Sequence, residues 1–244
     1  MRTLVLMAML VAVVGLVGQQ AEAVTVLGYG TASLIGSDLT DPDNNINDNV
    51  PGNPPYYGTG YDFLSASASS ENWFSPGKGN EAALDLFDNK VGGGSNKWCC
   101  NGGTTFAAVQ LTPYNSGAEY ILTHFTIASD NDSGTARDPD VWYIEGSDDG
   151  TNWTPIFAYT ADGTSPFLLG GGSVDNKVLE YNAGPDFALP EPYHAFRFRA
   201  TSYGSQNILG LSEIEFFGES VPEPATLSLL GLGALALLRR RRRR

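Results

Sequence analysis

The sequence has little cysteine, which limits how the chain can be cross-linked or hold a metal. Its only two cysteines, Cys99 and Cys100, are neighbours. Consecutive Cα atoms lie about 3.8 Å apart, below the usual disulfide separation of about 4.4–6.8 Å, so a bridge between them is strained. Two thiolates alone do not complete a zinc site. The disulfide framework common in small secreted domains is absent. For this pair, packing, a vicinal or intermolecular disulfide, and a redox or metal role stay open.

Basic residues are scarce over most of the chain. Residues 24–224 contain 7 Lys and Arg against 26 Asp and Glu, a net charge of −19, because half of the 14 basic residues lie at the two ends. Nucleic acids and anionic lipids are bound mainly through Lys and Arg, so this composition argues against nucleic acid as a partner. It is compatible with secretion, with cation binding and with neutral glycans.

Recognisable catalytic groups are also missing. The only histidines, His124 and His194, lie within or at the start of predicted strands, where a packed or surface histidine is more common than a base. Ser212 lacks the second glycine of a nucleophile elbow. Glu213 and Glu215 suit a glycosidase pair, but carboxylates at i and i+2 usually form the solvent face of a strand. We therefore predict a binding protein and no enzyme.

The amino-terminal end has the features of a secretory signal peptide. Arg2 supplies the positive charge, residues 4–18 are apolar, and Ala21-Glu22-Ala23 fits a cleavage site. The apolar run is shorter than the ~20 residues of a membrane-spanning helix. We predict that residues 1–23 are removed, which leaves an extension at 24–62 with an acidic loop. In that loop residues 41–45 carry oxygen ligands at alternate positions without the glycine and glutamate of an EF-hand, so a solvated loop is favoured.

The carboxy-terminal end has three parts in a fixed order. Pro222-Glu223-Pro224 is followed by an uncharged stretch at 225–238 and by six arginines that begin with Arg239 and Arg240. A helix of 14 residues covers about 21 Å, less than a hydrocarbon core of ~30 Å, and its arginines favour the cytoplasmic side. An ordinary tail anchor and a basic tail that binds nucleic acid are the alternative interpretations.

Together, residues 221–244 resemble the PEP-CTERM sorting signal. The resemblance implies a Gram-negative envelope, an inner-membrane intermediate and processing by a membrane protease of the exosortase class. It also implies an association with exopolysaccharide.

Between the ends, high glycine, asparagine, aspartate, serine and aromatic content favours an all-β domain. Its clearest element is a hairpin. Pro139 precedes a β-branched and aromatic run at 141–145, Asp148-Asp149-Gly150 forms a turn, and Trp153 begins the return strand. Further strands are predicted at 106–111, 120–127, 178–181, 195–200 and 213–216, with short candidates at 24–27 and 33–36. Residues 162–176, with three consecutive glycines, are predicted to form a flexible insertion.

The hairpin belongs to a wider pattern. Its other parts are Leu64-Ser-Ala-Ser-Ala-Ser69, Ala82-Ala-Leu-Asp-Leu-Phe-Asp88, Lys97-Trp98 and Leu211-Ser-Glu-Ile-Glu-Phe-Phe-Gly218. Residues 63–218 thereby resemble the discoidin, or coagulation-factor type C, domain. The resemblance implies an eight-stranded, galactose-binding-like jelly-roll sandwich with Trp98 and Trp153 at core positions. It also implies a structural calcium ion held by Asp88 and Glu213, although Asn89 replaces the usual glycine and Val91-Gly-Gly-Gly94 lengthens the loop.

Function is expected on the long loops rather than on the strands. Sugars are held by an aromatic plate and a few hydrogen-bonding side chains at a loop rim. Trp73, Phe74, Arg137 and Tyr203 are the candidates for ligand binding. Trp73 and Phe74 lie in a polar loop, and no strand or helix periodicity explains two large aromatic residues there. Arg137 has an alternative role as the partner of an acidic neighbour. We predict an exported cell-surface or matrix module that binds glycan or exopolysaccharide. An adhesin that binds protein is the alternative, and an enzyme or enzyme accessory is a third reading.

Overall fold

The computed structural model describes residues 24–40, 65–71, 81–94, 96–101, 103–110, 118–132, 134–161 and 163–221. These residues form ten strands and four 3₁₀ turns, without an α-helix. The strands are β1 Thr25–Tyr29, β2 Ser65–Ala68, β3 Trp98–Asn101, β4 Thr105–Gln110, β5 Glu119–Ser129, β6 Pro139–Ser147, β7 Thr154–Tyr159, β8 Lys177–Asn182, β9 Ala195–Tyr203 and β10 Ile208–Val221. The 3₁₀ turns are Thr31–Ser33, Ala83–Leu86, Gly134–Ala136 and Pro166–Leu168.

The strands build two antiparallel sheets of five strands each. The first sheet has the order β1-β8-β5-β10-β3 and the second has the order β2-β4-β9-β6-β7. The all-β jelly-roll sandwich is therefore confirmed. Nine of the ten described strands begin within residues 63–218, one more than the eight expected there, and β1 of the amino-terminal extension adds a tenth at the edge of the first sheet. No helix within the described ranges is long and apolar enough to cross a membrane.

The short strand predicted at 33–36 is wrong. Thr31–Ser33 forms a 3₁₀ turn, and the backbone amides of Ile35 and Gly36 donate to the carboxylate of Glu215 at 3.1 and 2.6 Å. Because a side chain on β10 satisfies these amides, the segment has no need of a neighbouring strand. The strand predicted at 24–27 is confirmed as β1.

The core lies between the sheets and follows the two-residue period of the strands. On β9, Phe196 and Phe198 are fully buried, while Arg197 and Arg199 point to the other face as predicted. Glu145 of β6 accepts hydrogen bonds from both arginines, at 2.5 Å from Arg197 Nε and 2.8 Å from Arg199 Nη2. The outer face of the second sheet is thus held by a charge network as well as by backbone pairing.

The two tryptophans expected in the core differ in their positions. Trp98 is fully buried, and its indole nitrogen donates to the carbonyl of Ser70 at 3.0 Å. Trp153 is only partly buried, and the guanidinium of Arg197 lies 4.4 Å from the centre of its ring. The core position expected for Trp153 is therefore wrong, because its ring covers the outer face of the sheet. Trp142 of β6 lies in the core, tilted against Phe198.

The insertion predicted to be flexible is instead anchored over residues 163–176. Phe167 is fully buried in the core. The buried ammonium of Lys177 donates to three carbonyl oxygens of the segment, those of Phe167, Leu169 and Gly171, at 2.5, 3.0 and 2.6 Å. One apolar anchor and one lysine hold the run of glycines in place.

The strand register defines the two ends of the sandwich. Pro139 pairs with Tyr203, and Ser147 pairs with Ala195, at opposite ends of β6. We call the first the loop end, which includes residues 130–132, 134–138, 160–161, 163–176 and 204–207. The second is the terminal end, where Val221 pairs with Glu119 and the β6–β7 turn lies. The predicted signal peptide, the acidic loop at 41–45 and residues 222–244 lie outside the described residues.

Candidate functional site

A groove of about 440 Å³ opens at the loop end. Three segments form it: the start of β6 with the turn before it, the segment that begins at Gly163, and the end of β9. The lining side chains include Asp138, Asp140, Ser165, Leu168 and Tyr203. The groove thus combines acidic and hydroxyl groups with an aromatic ring and an aliphatic side chain, of which Leu168 is 52% exposed.

Two buried carboxylates form the floor of this groove. Asp138 Oδ2 accepts a hydrogen bond from Ser165 Oγ at 2.5 Å, and Asp140 Oδ2 accepts one from the backbone nitrogen of Gly163 at 3.1 Å. The Oδ1 atom of each residue is buried and receives no hydrogen bond from the protein. Burial, followed by the nearby charges of Asp130 and Asp175, raises the pKa of Asp138 to about 7. The floor therefore holds two carboxyl groups, each with one oxygen that no protein donor satisfies.

The sequence did not single out Asp138, Asp140 or Ser165 as binding residues. Asp138 and Asp140 flank Pro139, and this pattern predicts the start of a strand, which the structure confirms. Acids at alternate positions of a strand project to the same face. That spacing was the available signal, but only the packing of the 163–168 segment shows that the face is a groove.

Arg137 lies at the rim, between two lining residues of the groove. Its guanidinium donates from Nη1 to Asp132 at 3.2 Å and from Nε to Gln206 Oε1 at 2.9 Å. Asp132 also pairs with the buried ammonium of Lys97. The alternative role of Arg137, as the partner of an acidic neighbour, is thus observed. The structure brings Arg137 and Tyr203 to the same end, whereas Trp73 and Phe74 lie outside the described residues.

A second acidic group lies on the outer face of the first sheet. Asp88 and Glu213 are both buried. The backbone nitrogen of Lys90 donates to Glu213 Oε2 at 3.1 Å, and its ammonium lies 3.2 Å from Asp88 Oδ2. Burial, and then the charges of Asp88, Asp38 and Glu215, raise the pKa of Glu213 well above its usual range. Burial likewise raises the pKa of Asp88, against the opposing effect of Lys90.

The solvent-exposed strand face that carboxylates at i and i+2 usually form is not observed for Glu213 and Glu215. Both side chains are buried, because the segment before residue 41 lies across this face. Glu215 accepts from Thr126 Oγ1 at 2.7 Å as well as from the amides of Ile35 and Gly36. Asp38 Oδ2 accepts from the backbone nitrogen of Phe216 at 3.0 Å. The amino-terminal segment therefore covers the acidic residues of β10.

The donors around Asp88 and Glu213 fit a hard cation. Asp88 Oδ1 and Ser212 Oγ are buried and receive no hydrogen bond from the protein. Four carboxyl groups, those of Asp38, Asp88, Glu213 and Glu215, interact here, and Lys90 is the basic group in contact with them. Carboxylate and hydroxyl oxygens are the ligands that calcium prefers. The site therefore matches the calcium that the resemblance implies, in the chemistry of its donors.

Comparison with known families identifies the domain. The model of the F5/8 type C domain matches residues 65–213, more than half of the chain. The chain belongs to the F5/8 type C family. The PEP-CTERM protein-sorting motif matches residues 220–243. Both resemblances seen in the sequence are thus confirmed, and the sorting motif implies export and a surface or envelope location.

Several solved structures are similar to this F5/8 type C protein. One is a Clostridium perfringens domain, CpGH89CBM32-5, in complex with GalNAc-β-1,3-galactose (18% identity, 63% of this chain and 94% of that chain, TM-score 0.43). Another is chitosan-binding module 1 of a chitosanase/glucanase from Paenibacillus sp. IK-5 (21% identity, 63% and 94%, TM-score 0.42). A third is the family 32 module of C. perfringens NanJ in complex with galactose (16% identity, 62% and 91%, TM-score 0.41). No curated protein sequence matches the chain significantly.

Proposed function

We propose that this F5/8 type C domain is an exported module that binds a neutral or amino-sugar glycan in the loop-end groove. The observation that carries the proposal is the pair of carboxylates on the groove floor, Asp138 and Asp140, beside the ring of Tyr203. Sugar hydroxyls donate hydrogen bonds, and carboxylates accept them strongly. The aromatic and aliphatic walls suit the apolar face of a sugar ring.

The negative charge of the groove disfavours acidic glycans as ligands. Both floor residues are acidic, and the guanidinium of Arg137 at the rim is already paired with Asp132. The exported part of the chain also carries a net charge of −19. Uronic acids and sulfated sugars would place like charges together, which costs binding free energy. We therefore expect neutral hexoses, N-acetylhexosamines or amino sugars to be preferred, and an exopolysaccharide of such composition suits the sorting motif.

A glycan array probed with the purified protein tests the proposal. Asp138→Asn and Asp140→Asn keep the shape of the groove but weaken its acceptors, so we expect each to lower glycan affinity at least tenfold, about 1.4 kcal/mol. Glu191→Gln, an exposed acid away from the groove, is the matched control and should bind as the unmodified protein does.

The binding results distinguish an error in the proposed location of the site from an error in the proposed function. Loss of binding in Trp73→Ala with unchanged binding in both aspartate variants would move the site to the loop of Trp73 and Phe74. Binding to no glycan, together with capture of a protein partner, would favour the adhesin and overturn glycan binding. Preference for anionic glycans would contradict the charge reasoning.

We also propose a route to the cell surface. The last strand ends at Val221, directly before Pro222-Glu223-Pro224, so a protease of the exosortase class can act on the motif without unfolding the domain. The protein would pass through an inner-membrane intermediate of a Gram-negative cell. Intact mass of the protein from the producing cell should lack the residues from Arg239 onward. A mature protein that keeps Arg239 and Arg240 would identify a plain anchor instead.

Calcium is the cofactor that we propose for the second acidic site. Asp88 and Glu213 would hold the ion, and the ion would supply the positive charge that these buried carboxylates lack. It would fix the loop before Trp98 to β10. A ligand that binds only the folded state stabilises it by about 2.7 kcal/mol at a hundredfold excess over Kd. Calcium should therefore raise the melting temperature, and Asp88→Asn should abolish the rise. Identical melting in calcium and in chelator would exclude the site.

A further inference from the structure

A cluster of three potential metal ligands lies at the terminal end, away from both acidic sites. Glu119 begins β5 of the first sheet, Asp148 lies in the β6–β7 turn, and His194 directly precedes β9 of the second sheet. One ligand atom from each of the three side chains lies within 4.8 Å of the others. Reciprocal backbone hydrogen bonds between Tyr120 and Tyr193, both at 3.0 Å, bring the neighbouring Glu119 and His194 together.

The imidazole of His194 is oriented for a ligand. Its Nδ1 lies 2.8 Å from the carbonyl oxygen of Ala118. A carbonyl oxygen can only accept, so Nδ1 must carry the proton and donate it. In the neutral ring Nε2 then holds a lone pair, and Nε2 faces Glu119 Oε1 at 3.6 Å. Histidines that bind metals are commonly held in this way, with the second ring nitrogen donating to a backbone carbonyl.

The geometry needs little change to accept an ion. Tetrahedral zinc bonds of about 2.0–2.1 Å place neighbouring ligand atoms roughly 3.3 Å apart. The distance between His194 Nε2 and Glu119 Oε1 is already close to this value. Asp148 is exposed in a turn, so its side chain can rotate towards the other two. Imidazole with carboxylates suits first-row transition metals, whereas calcium and magnesium prefer oxygen ligands alone.

We propose that Glu119, Asp148 and His194 bind one divalent transition-metal ion, best matched by zinc. The ion links the first sheet to the second at the terminal end. Three protein ligands leave a fourth position open, and that position lies at a groove of about 290 Å³ lined by Asp148, His194 and Trp153. The open position suits a water molecule or an oxygen of a small ligand.

The two histidines of the chain make a sharp test. Zinc is titrated into the purified, untagged protein in a buffer with excess calcium. Binding is followed by isothermal titration calorimetry and by the imidazole ¹⁵N resonances in NMR spectra. We expect one zinc ion per chain, with a change at Nε2 of His194 and none at His124, which stacks on Phe217. His194→Gln and Asp148→Asn should each weaken zinc binding at least tenfold. His124→Gln and Glu191→Gln are the matched controls and should bind zinc as the unmodified protein does.

Three results would overturn the proposal. Zinc binding that both ligand variants retain would locate the ion elsewhere, and a change at Nδ1 instead of Nε2 would contradict the hydrogen bond to Ala118. Absence of saturable zinc binding would leave His194 and Glu119 as neighbouring side chains that hold no metal. Melting temperatures of the variants, measured in chelator, show whether a loss of binding is a loss of folding, and a variant that has unfolded is replaced by Glu119→Gln.

Discussion

Replacing Lys177 with methionine should loosen one wall of the loop-end groove. The lysine ammonium is buried and donates to the carbonyl oxygens of Phe167, Leu169 and Gly171. The segment that these bonds hold includes Ser165, which contacts the floor carboxylate of Asp138. Methionine keeps most of the side-chain volume but has no donor. The change therefore removes the hydrogen bonds and leaves the packing of the aliphatic part.

The expected magnitude depends on which carbonyls can reach water. Leu169 and Gly171 are exposed, so their oxygens can be hydrated, whereas Phe167 is fully buried. One buried acceptor without a partner costs about 1–3 kcal/mol. Relief of the desolvation of the ammonium works in the opposite direction, so the loss should stay within that range rather than reach the sum of three bonds. For a domain of this size the melting temperature falls by about 2–4 °C per kcal/mol.

Chemical denaturation and glycan titration of the same variant check this reasoning. We expect a lower free energy of unfolding and a weaker glycan affinity, with partial recovery of both in Lys177→Arg, which keeps donors and charge. Equal stability and equal affinity in Lys177→Met would refute the reasoning, because the carbonyls would then be satisfied without the lysine.

Two further predictions concern the second sheet. Burial disfavours the charged form of Glu145, but hydrogen bonds from Arg199 and Arg197 outweigh it and leave its pKa below the usual value. A lowered folded pKa gives stability that is present above the unfolded value of about 4.3 and is lost as the pH falls through the folded value. Urea unfolding at several pH values should therefore show that the free energy of unfolding of Glu145→Gln falls less steeply at acid pH than that of the unmodified protein. An equally steep fall in both proteins would contradict the role of the network between Glu145 and the two arginines. A methyl group on Gly146 would lie 2.1 Å from the ring of Tyr193, whereas one on Gly94 would meet nothing within 4 Å. Gly146→Ala should thus lose about 1–3 kcal/mol and Gly94→Ala almost nothing, and equal melting temperatures would show that Tyr193 moves freely.

The fold was largely predictable because its signals are local. The alternation on β9 predicted that Phe196 and Phe198 face the core and that Arg197 and Arg199 do not, as observed. The alternation of apolar and polar residues along a strand predicts which face of the sheet a side chain occupies, but not which segment covers that face. Carboxylates at i and i+2 usually lie on a solvent-exposed strand face, but Glu213 and Glu215 are buried because residues 34–40, from far along the chain, lie across that face.

The candidate site was less predictable, because it depends on long-range packing. Arg137 and Tyr203, two of the predicted ligand-binding residues, lie at the end of the sandwich that holds the proposed groove, but the floor of the groove comes from Asp138 and Asp140, for which the sequence predicts only the start of a strand. The run Gly170-Gly-Gly172 predicted mobility, since no local pattern shows that Lys177 turns back to bind the preceding carbonyls. The proposed zinc ligands, Glu119, Asp148 and His194, come from three separate segments, so no spacing along the chain predicts them.

The direction of β10 separates the groove from the sorting motif. The strand runs from Ile208, beside the groove, to Val221, beside the sorting motif. Its 14 residues at about 3.3 Å each span roughly 40 Å or more. A chain attached through its carboxy-terminal end would therefore display the groove on the side opposite the attachment. His194 lies at the opposite end, so the proposed glycan and metal sites are on opposite sides of the molecule.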